Sequence, residues 1–347
     1  MALQRPTIAL AMGDPAGISP ELTAKLLSLD DVRDAARLIV IGDRRVFDEG
    51  AAIAGLTLDL ETIGRDAAIP NGDAAVFIDL GNLDPADVQR GQATAIGGAF
   101  ATENFRRALS MAVAGEADAV CFTPFNKKAM RYVYEGYDDE IRFVSDFIGF
   151  SGAAREFNVL GSLWNARVTS HIPLSEVASS ITADGIVAEL DLTDTCLRAA
   201  GFGQPRIAVA GLNPHAGDGG NFGSEEIDVI EPAVKRAAAK GINAQGPFPA
   251  DTVFLRAKSG AFDAVLTMYH DQGQIAMKMM GFDRGVTMLG GFPFPICTPA
   301  HGTAYEIAGQ GVAHIGASRE ALLLAARMAV SAAASRQAEA QPLSRAI

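Results

Sequence analysis

Apolar and polar positions along this chain alternate between short hydrophobic runs and longer stretches with helical spacing. The runs at 7–12, 38–41, 75–79 and 117–122 are nearly continuous, as a strand covered on both faces requires. Between them, Ser19-Pro20-Glu21 puts a cap-type residue ahead of a proline, a helix start, and 97–115 carries apolar residues at helical intervals. The second half keeps the rhythm. Strands are predicted at 157–160, 167–169, 206–211, 264–269 and 286–289, and helices over 174–200, 225–240 and 317–335. Residues after Arg336 read as disordered. Strand–helix alternation predicts an α/β fold with a mostly parallel sheet. No proline-, glycine- or serine-rich linker divides the chain, so two lobes would have to be interwoven in sequence.

The 347 residues suffice for two lobes or one large domain, and 49% hydrophobic with 20% charged residues is ordinary for a globular protein. A net charge of −12 argues against a nucleic-acid partner, because a phosphate backbone needs a basic surface. An anionic small molecule stays open, since a local pocket can oppose the global field. Three scattered cysteines, Cys121, Cys196 and Cys297, do not make a disulfide framework and fit a reducing cytoplasm. The run at 7–12 is too short for a signal segment, and no stretch is long and apolar enough to span a bilayer, so no membrane partner is expected.

Of five histidines, His171, His215 and His270 each follow an apolar run beside turn-forming residues. Strand ends of a parallel sheet gather on one edge, where three imidazoles can converge on one divalent cation and leave coordination positions open. Asp218 and Asp271 are neighbouring carboxylates able to orient them. The alternative is three unrelated, individually satisfied histidines. A cation there suits alcohol oxidation, because it stabilises the alkoxide, and it could hold the enolate if a β-keto acid then loses carbon dioxide. The glycine-rich segment 217–226 either turns its amides, Gly217 and Gly220 among them, toward an anionic cofactor or is a flexible turn capped by Ser224. It is not a dinucleotide fingerprint, since Phe222 takes the third glycine position. With no phosphate-loop motif anywhere, a cofactor must be held by loops such as 301–311, through His301, Gly302, Thr303, Ala304 and Glu306; the plainer reading is a helix entry capped by Thr303. Turn residues at 13–21 bring Asp14 to the sheet edge, and Asn126 and Lys127 end another strand. Lys278 and Arg284 could supply positive charge for an anionic substrate.

These motifs, in order, are Gly13-Asp14-Pro15-Ala16-Gly17-Ile18, Pro124-Phe125-Asn126-Lys127, His171-Ile172-Pro173-Leu174, Leu212-Asn213-Pro214-His215-Ala216-Gly217, Gly246-Pro247-Phe248-Pro249-Ala250-Asp251-Thr252, Tyr269-His270-Asp271-Gln272-Gly273 and His301-Gly302-Thr303-Ala304. With them the chain resembles the 4-hydroxythreonine-4-phosphate dehydrogenases of pyridoxal-phosphate biosynthesis and their paralogues, from Ile8 to about Ala325. The resemblance implies an isocitrate/isopropylmalate dehydrogenase-like fold. That fold has two α/β lobes with a central cleft, here residues 1–130 plus 285–347 and residues 131–284. It implies one divalent metal ion (Zn, Mg, Mn or Co) per subunit on His171, His215 and His270. The metal would lie at the interface of a homodimer, with NAD or NADP on the 301–311 loop and a substrate contact at Lys278. Asp251, Lys127 and Asp271 are the candidate catalytic residues.

Departures fall in the substrate positions, where Glu140 and Ile141 replace a His-Thr pair, Thr287 an Asn and Ile296 an Arg. Each lost charge-assisted contact is worth about 1.5–3 kcal/mol, so a phosphorylated substrate should bind less well. Arg142 or Arg284 could hold a carboxylate instead. The expectation is a cytoplasmic, metal- and NAD(P)-dependent dehydrogenase oxidising a secondary alcohol of a small hydroxy acid, with decarboxylation open as a following step. Alternatives are a non-phosphorylated substrate such as a cis-dihydrodiol dicarboxylate, a phosphate acyltransferase on a related fold, or a non-catalytic binding protein.

Overall fold

Strands run in chain order as β1 (Thr7–Ala11), β2 (Arg37–Gly42), β3 (Glu61–Gly64), β4 (Val76–Asp79), β5 (Ala119–Phe122), β6 (Arg155–Leu160), β7 (Leu163–Arg167), β8 (Ile207–Ala210), β9 (Ala244–Phe248), β10 (Ala264–Thr267), β11 (Val286–Gly290) and β12 (Ile296–Pro299). The computed structural model describes residues 5–340. The chain divides into two units, Met1–Ala154 with Val286–Ile347, and Arg155–Gly285.

In the first unit the strand order is β3-β4-β2-β1-β5-β12-β11, parallel throughout except for β11 against β12. β1 and β2 lie inside this order and are buried almost end to end, which is why their sequences are unbroken apolar runs. The helix Ala95–Val113, capped by Thr94 accepting from the Gly97 N–H, lays Ala101, Phe105, Ala108 and Leu109 onto the sheet. Phe105 packs against Phe122, Phe125 and Phe143, with ring centres 4.8, 5.1 and 5.4 Å away. That cluster corrects one boundary. Segment 131–154, expected with the second lobe, belongs to the first unit, because Tyr137, Phe143 and Val144 are buried in the same core.

In the second unit the order is β6-β7-β10-β8-β9, with β7, β10, β8 and β9 parallel and β6 antiparallel to β7. Its core joins Ala208, Ala210, Phe254, Phe262, Val265 and Met277. Strand β7 lies four residues before the run expected at 167–169, since the buried, hydrogen-bonded Asn165 interrupts its apolar pattern. The helix expected over 174–200 is two, Leu174–Ser180 and Ala183–Ala199, the second capped by Thr182. Strands β3, β9 and β12 had no clear sequence signal. β3 and β9 are edge strands, β9 containing Gly246 and Pro247, and β12 is framed by prolines. The closing helix runs Gly316–Ala340, so the first part of the tail expected to be disordered is helical, and the rest lies outside the described residues. No helix among the described residues is long and apolar enough to cross a membrane.

Candidate active site

Each unit presents the carboxyl ends of adjacent parallel strands along one sheet edge, the place where ligands bind in open α/β sheets. In the first unit these ends belong to β1, β5 and β12. Gly13 lies so close to the end of β5 that a Cβ there would stand 2.2 Å from the Thr123 carbonyl oxygen, and its N–H donates to Thr123 Oγ1 at 2.9 Å. Asp14, only 1% exposed, follows. Its Oδ2 accepts the Tyr305 hydroxyl at 2.7 Å and its Oδ1 the Ala16 N–H at 2.8 Å. Burial raises the Asp14 carboxyl above its usual range, a shift its hydrogen bonds only partly oppose, and burial with the adjacent Asp14 raises the Tyr305 phenol.

The loop after β12 is fastened to the turn after β1. The Ile18 N–H donates to the Thr303 carbonyl at 3.1 Å, and Gly17 is required, because a Cβ would stand 2.5 Å from that oxygen. Thr303 is not a helix cap. The single turn Tyr305–Ile307 is entered through Ala304 in the left-handed region, without a side-chain cap. His301 is half-buried, its Nδ1 lies 3.0 Å from the Gly302 carbonyl, and burial lowers its pKa. Gly302 and Glu306 are exposed.

After β5, Asn126 caps the helix Lys127–Arg131 by accepting from Lys128 and Ala129 N–H groups. Lys127 Nζ lies 3.9 Å from Glu140 Oε2, and Glu140 Oε1 accepts the buried Tyr137 hydroxyl at 2.8 Å. Two expectations change here. Ile296 is fully buried in the first unit's core on β12, beside β5, where no substrate can touch it. Arg142 is exposed and paired with Asp138, just ahead of its helix, at 2.8 Å and with Asp146 at 3.7 Å, so its charge is already shared. Ile141 packs partly into the core, and Thr287 is half-buried opposite Thr298.

In the second unit the edge is formed by β7, β10, β8 and β9, whose ends lead to His171, His270, His215 and Asp251. His171 and His270 come together with ring centres 5.5 Å apart. His270 Nδ1 lies 2.6 Å from Asp271 Oδ1; with the ring proton in that contact, Nε2 keeps its lone pair for another partner. His215 belongs to a separate loop, its ring 6.1 Å from Phe222. No three His, Cys, Asp or Glu side chains among the described residues gather closely enough to hold a metal ion. The spacing of the two rings is compatible with a shared cation. Two imidazoles bound through nitrogens at about 2.1 Å have centres roughly 5 Å apart. Asp251, Lys278 and Arg284 are exposed.

The 215–220 segment corrects the reading of Gly217 as a cofactor contact. His215, Ala216, Gly217, Asp218, Gly219 and Gly220 all have left-handed φ, from 45° to 96°. Each non-glycine there costs about 1–2 kcal/mol. The loop wraps Glu226, a carboxylate only 3% exposed, so closely that a Cβ on Gly217 would stand 2.7 Å from its Oε2. A phosphate at Gly217 would meet that buried negative charge. Gly220 is exposed, and no side-chain cap from Ser224 starts the helix that follows.

Comparison with known proteins places this geometry in a family. The model of the pyridoxal phosphate biosynthetic protein PdxA family matches residues 34–325. A Rhizobium meliloti protein provisionally named 4-hydroxythreonine-4-phosphate dehydrogenase 2 is 70% identical over 327 residues, 94% of each chain. The solved structure of 4-hydroxythreonine-4-phosphate dehydrogenase from Klebsiella pneumoniae superposes with a TM-score of 0.80 at 33% identity, covering 95% of this chain and 99% of that one. A terephthalate 1,2-cis-dihydrodiol dehydrogenase from Burkholderia xenovorans is also similar, with a TM-score of 0.62 at 27% identity, covering 95% and 99%.

Proposed function

This chain belongs to the PdxA family and is a dehydrogenase acting on a CH–OH group, and from that premise we propose how its residues divide the work. His171, His215 and His270 hold one divalent cation, and the loop from His301 to Glu306 receives NAD or NADP. When bound, the cation supplies Lewis acidity toward a substrate hydroxyl and the nicotinamide takes up two electrons. Asp271 fixes the His270 ring so that Nε2 faces outward, and Lys127, beside Glu140, is positioned to carry a proton at its Nζ. Asp251 stands at the end of the strand next to the one leading to His215. The observation carrying this reading is the pairing of the His171 and His270 rings, 5.5 Å apart at the ends of adjacent parallel strands.

The substrate is a small hydroxy acid whose acidic group is not read as in the 4-phosphate dehydrogenases. Glu140 contributes a negative charge near Lys127, which disfavours a phosphate at that spot. Lys278, the substrate lysine that the resemblance implies, and Arg284 are the candidates for a substrate carboxylate. Among non-phosphorylated substrates, a cyclic one such as the dihydrodiol named for the Burkholderia relative is the second reading. The second unit exposes Ile172 at 37%, Leu174 at 72% and Phe222 at 46% near the histidine loops, surface suited to burial against a second subunit, and we assign a homodimer on that basis. Three free, buried cysteines suit the cytoplasm.

The test is a screen of hydroxy acids with the metal-stripped enzyme, NAD or NADP, and added Zn, Mg, Mn or Co, following reduced-cofactor absorbance. Turnover restored only by metal supports the assignment. Equal turnover with chelator present would falsify it, and faster turnover of 4-phosphohydroxythreonine than of its unphosphorylated counterpart would reject the substrate reading.

A further inference from the structure

We infer that Glu226 is a positioning residue: its carboxylate is the anion the glycine-rich loop is built around, and it sets the place of His215. The inference deepens the proposed metal site and rests on that reading. Glu226 Oε1 accepts the backbone N–H groups of Leu212 and Asn213, each at 2.7 Å. Its Oε2 accepts Asn213 Nδ2 at 2.9 Å, and the same amide nitrogen donates to Glu225 Oε2 at 2.7 Å. These bonds seize the chain two and three residues ahead of His215, where it leaves β8. The loop then closes over the carboxylate, so that a Cβ added at Gly211 or Gly217 would stand 3.1 or 2.7 Å from its oxygens.

Every partner of Glu226 on this side is a donor, so only an acceptor pair on a rigid stem satisfies them. A glutamine would set its amide nitrogen against that of Asn213, and turning Asn213 over would forfeit the bond to Glu225. The left-handed run at His215, Ala216 and Asp218 would relax once this anchor is gone, since nothing in L-residue sterics favours it. A second brace joins the loop to the other histidine strand. Gln272 Oε1 accepts the Met268 N–H at 2.7 Å, and its Nε2 donates to the Gly211 carbonyl at 2.7 Å. One side chain thus links the end of β10, which leads to His270, with the end of β8, which leads to His215.

The experiment titrates the metal-stripped full-length enzyme with cobalt(II), reading the visible absorption of the bound ion alongside thermal melting of the metal-free protein. Glu226→Ala should raise the cobalt dissociation constant about 100-fold, and Glu226→Gln and Gln272→Ala about 10-fold, in line with the usual effect of removing groups that orient ligands. The Glu226→Ala spectrum should take the form of the His215→Ala spectrum. In a His215→Ala background, removing Glu226 should add little, as two changes acting through one group do. Wild-type cobalt affinity in a cooperatively melting Glu226→Gln variant would overturn the inference. So would effects of the two substitutions that multiply fully in the double variant. Should Glu226→Ala not fold, Glu226→Gln and Gln272→Ala decide the matter alone. If the wild-type enzyme binds no cobalt, or binds it equally well as His270→Ala, the metal reading itself fails and this inference with it.

Discussion

At the sheet edge of the first unit the polar groups are inside: Asp14 is sealed against Tyr305 and Ala16, and the loop carrying Thr303 is stitched to the turn after β1. At the edge of the second unit His171 and His215 stand exposed and His270 is a third exposed, while the carboxylate Glu226 is buried within the loop that carries His215. Both edges use the same device, parallel strands ending side by side. The difference is in what remains unfinished. The first edge pairs Asp14 and the Thr303 carbonyl within the chain, whereas the second presents exposed imidazoles. A site built the first way resists change in shape; one built the second way waits for a ligand to complete it.

The sharpest way to break that comparison is to remove an imidazole. His171→Ala or His270→Ala should reduce metal-dependent turnover by about 1,000-fold or more, measured as reduced-cofactor formation. Melting of the metal-free protein should stay close to wild type, as expected for exposed positions. A large loss of stability instead would show that the second edge is as internally built as the first. Next in size is the closed edge. Gly13→Ala drives a Cβ to 2.2 Å from the Thr123 carbonyl and should lower urea-unfolding stability by about 3 kcal/mol. Gly219→Ala, in open space at φ 66°, should lower it by about 1 kcal/mol, from backbone strain alone.

The pH dependence of the closed edge gives a smaller effect with a definite sign. Burial raises the folded carboxyl pKa of Asp14 above its unfolded value. Its contribution to stability is therefore full below the unfolded carboxylate range, near 3.9, and is lost as pH rises through the folded value. Asp14→Asn lacks that loss, so between pH 4 and pH 7 the variant should gain on the wild type in urea unfolding. A stability difference that does not vary with pH would mean Asp14 is not held against its charge. Smallest is Arg142→Ala. Its ion pairs with Asp138 and Asp146 are exposed and screened by solvent, so urea-unfolding stability should stay at the wild-type level. A substrate KM that nonetheless rises tenfold would restore Arg142 as an anchor.

Much of the architecture could be read from residues in sequence, because strands buried on both faces write themselves as apolar runs: β1, β2, β5, β8 and β10 each announce their place. β12 and β9 did not, since prolines and glycines interrupt them and pairing with neighbours, not local preference, makes them strands. The histidines were legible by their position after such runs. Their mutual arrangement was not, because it depends on side-chain contacts such as His270 with Asp271 and on the turn at 215–220. Glycines at 217 and 220 invited an anion-binding interpretation, and sequence alone gives no hint that the anion is Glu226. The Asp14–Tyr305 bond spans nearly the whole chain and leaves no local trace.

The helix Glu140–Ile148 has a consequence for how this enzyme family can diversify. Its first turn carries Glu140 and Ile141, while Phe143 and Val144, fully buried, lock the same helix into the core. Glu140 faces Lys127 and Tyr137, while anchorage falls mainly to the residues that follow it. Substitutions in the first turn can change the charge beside Lys127 while Phe143 and Val144 keep the helix bolted down.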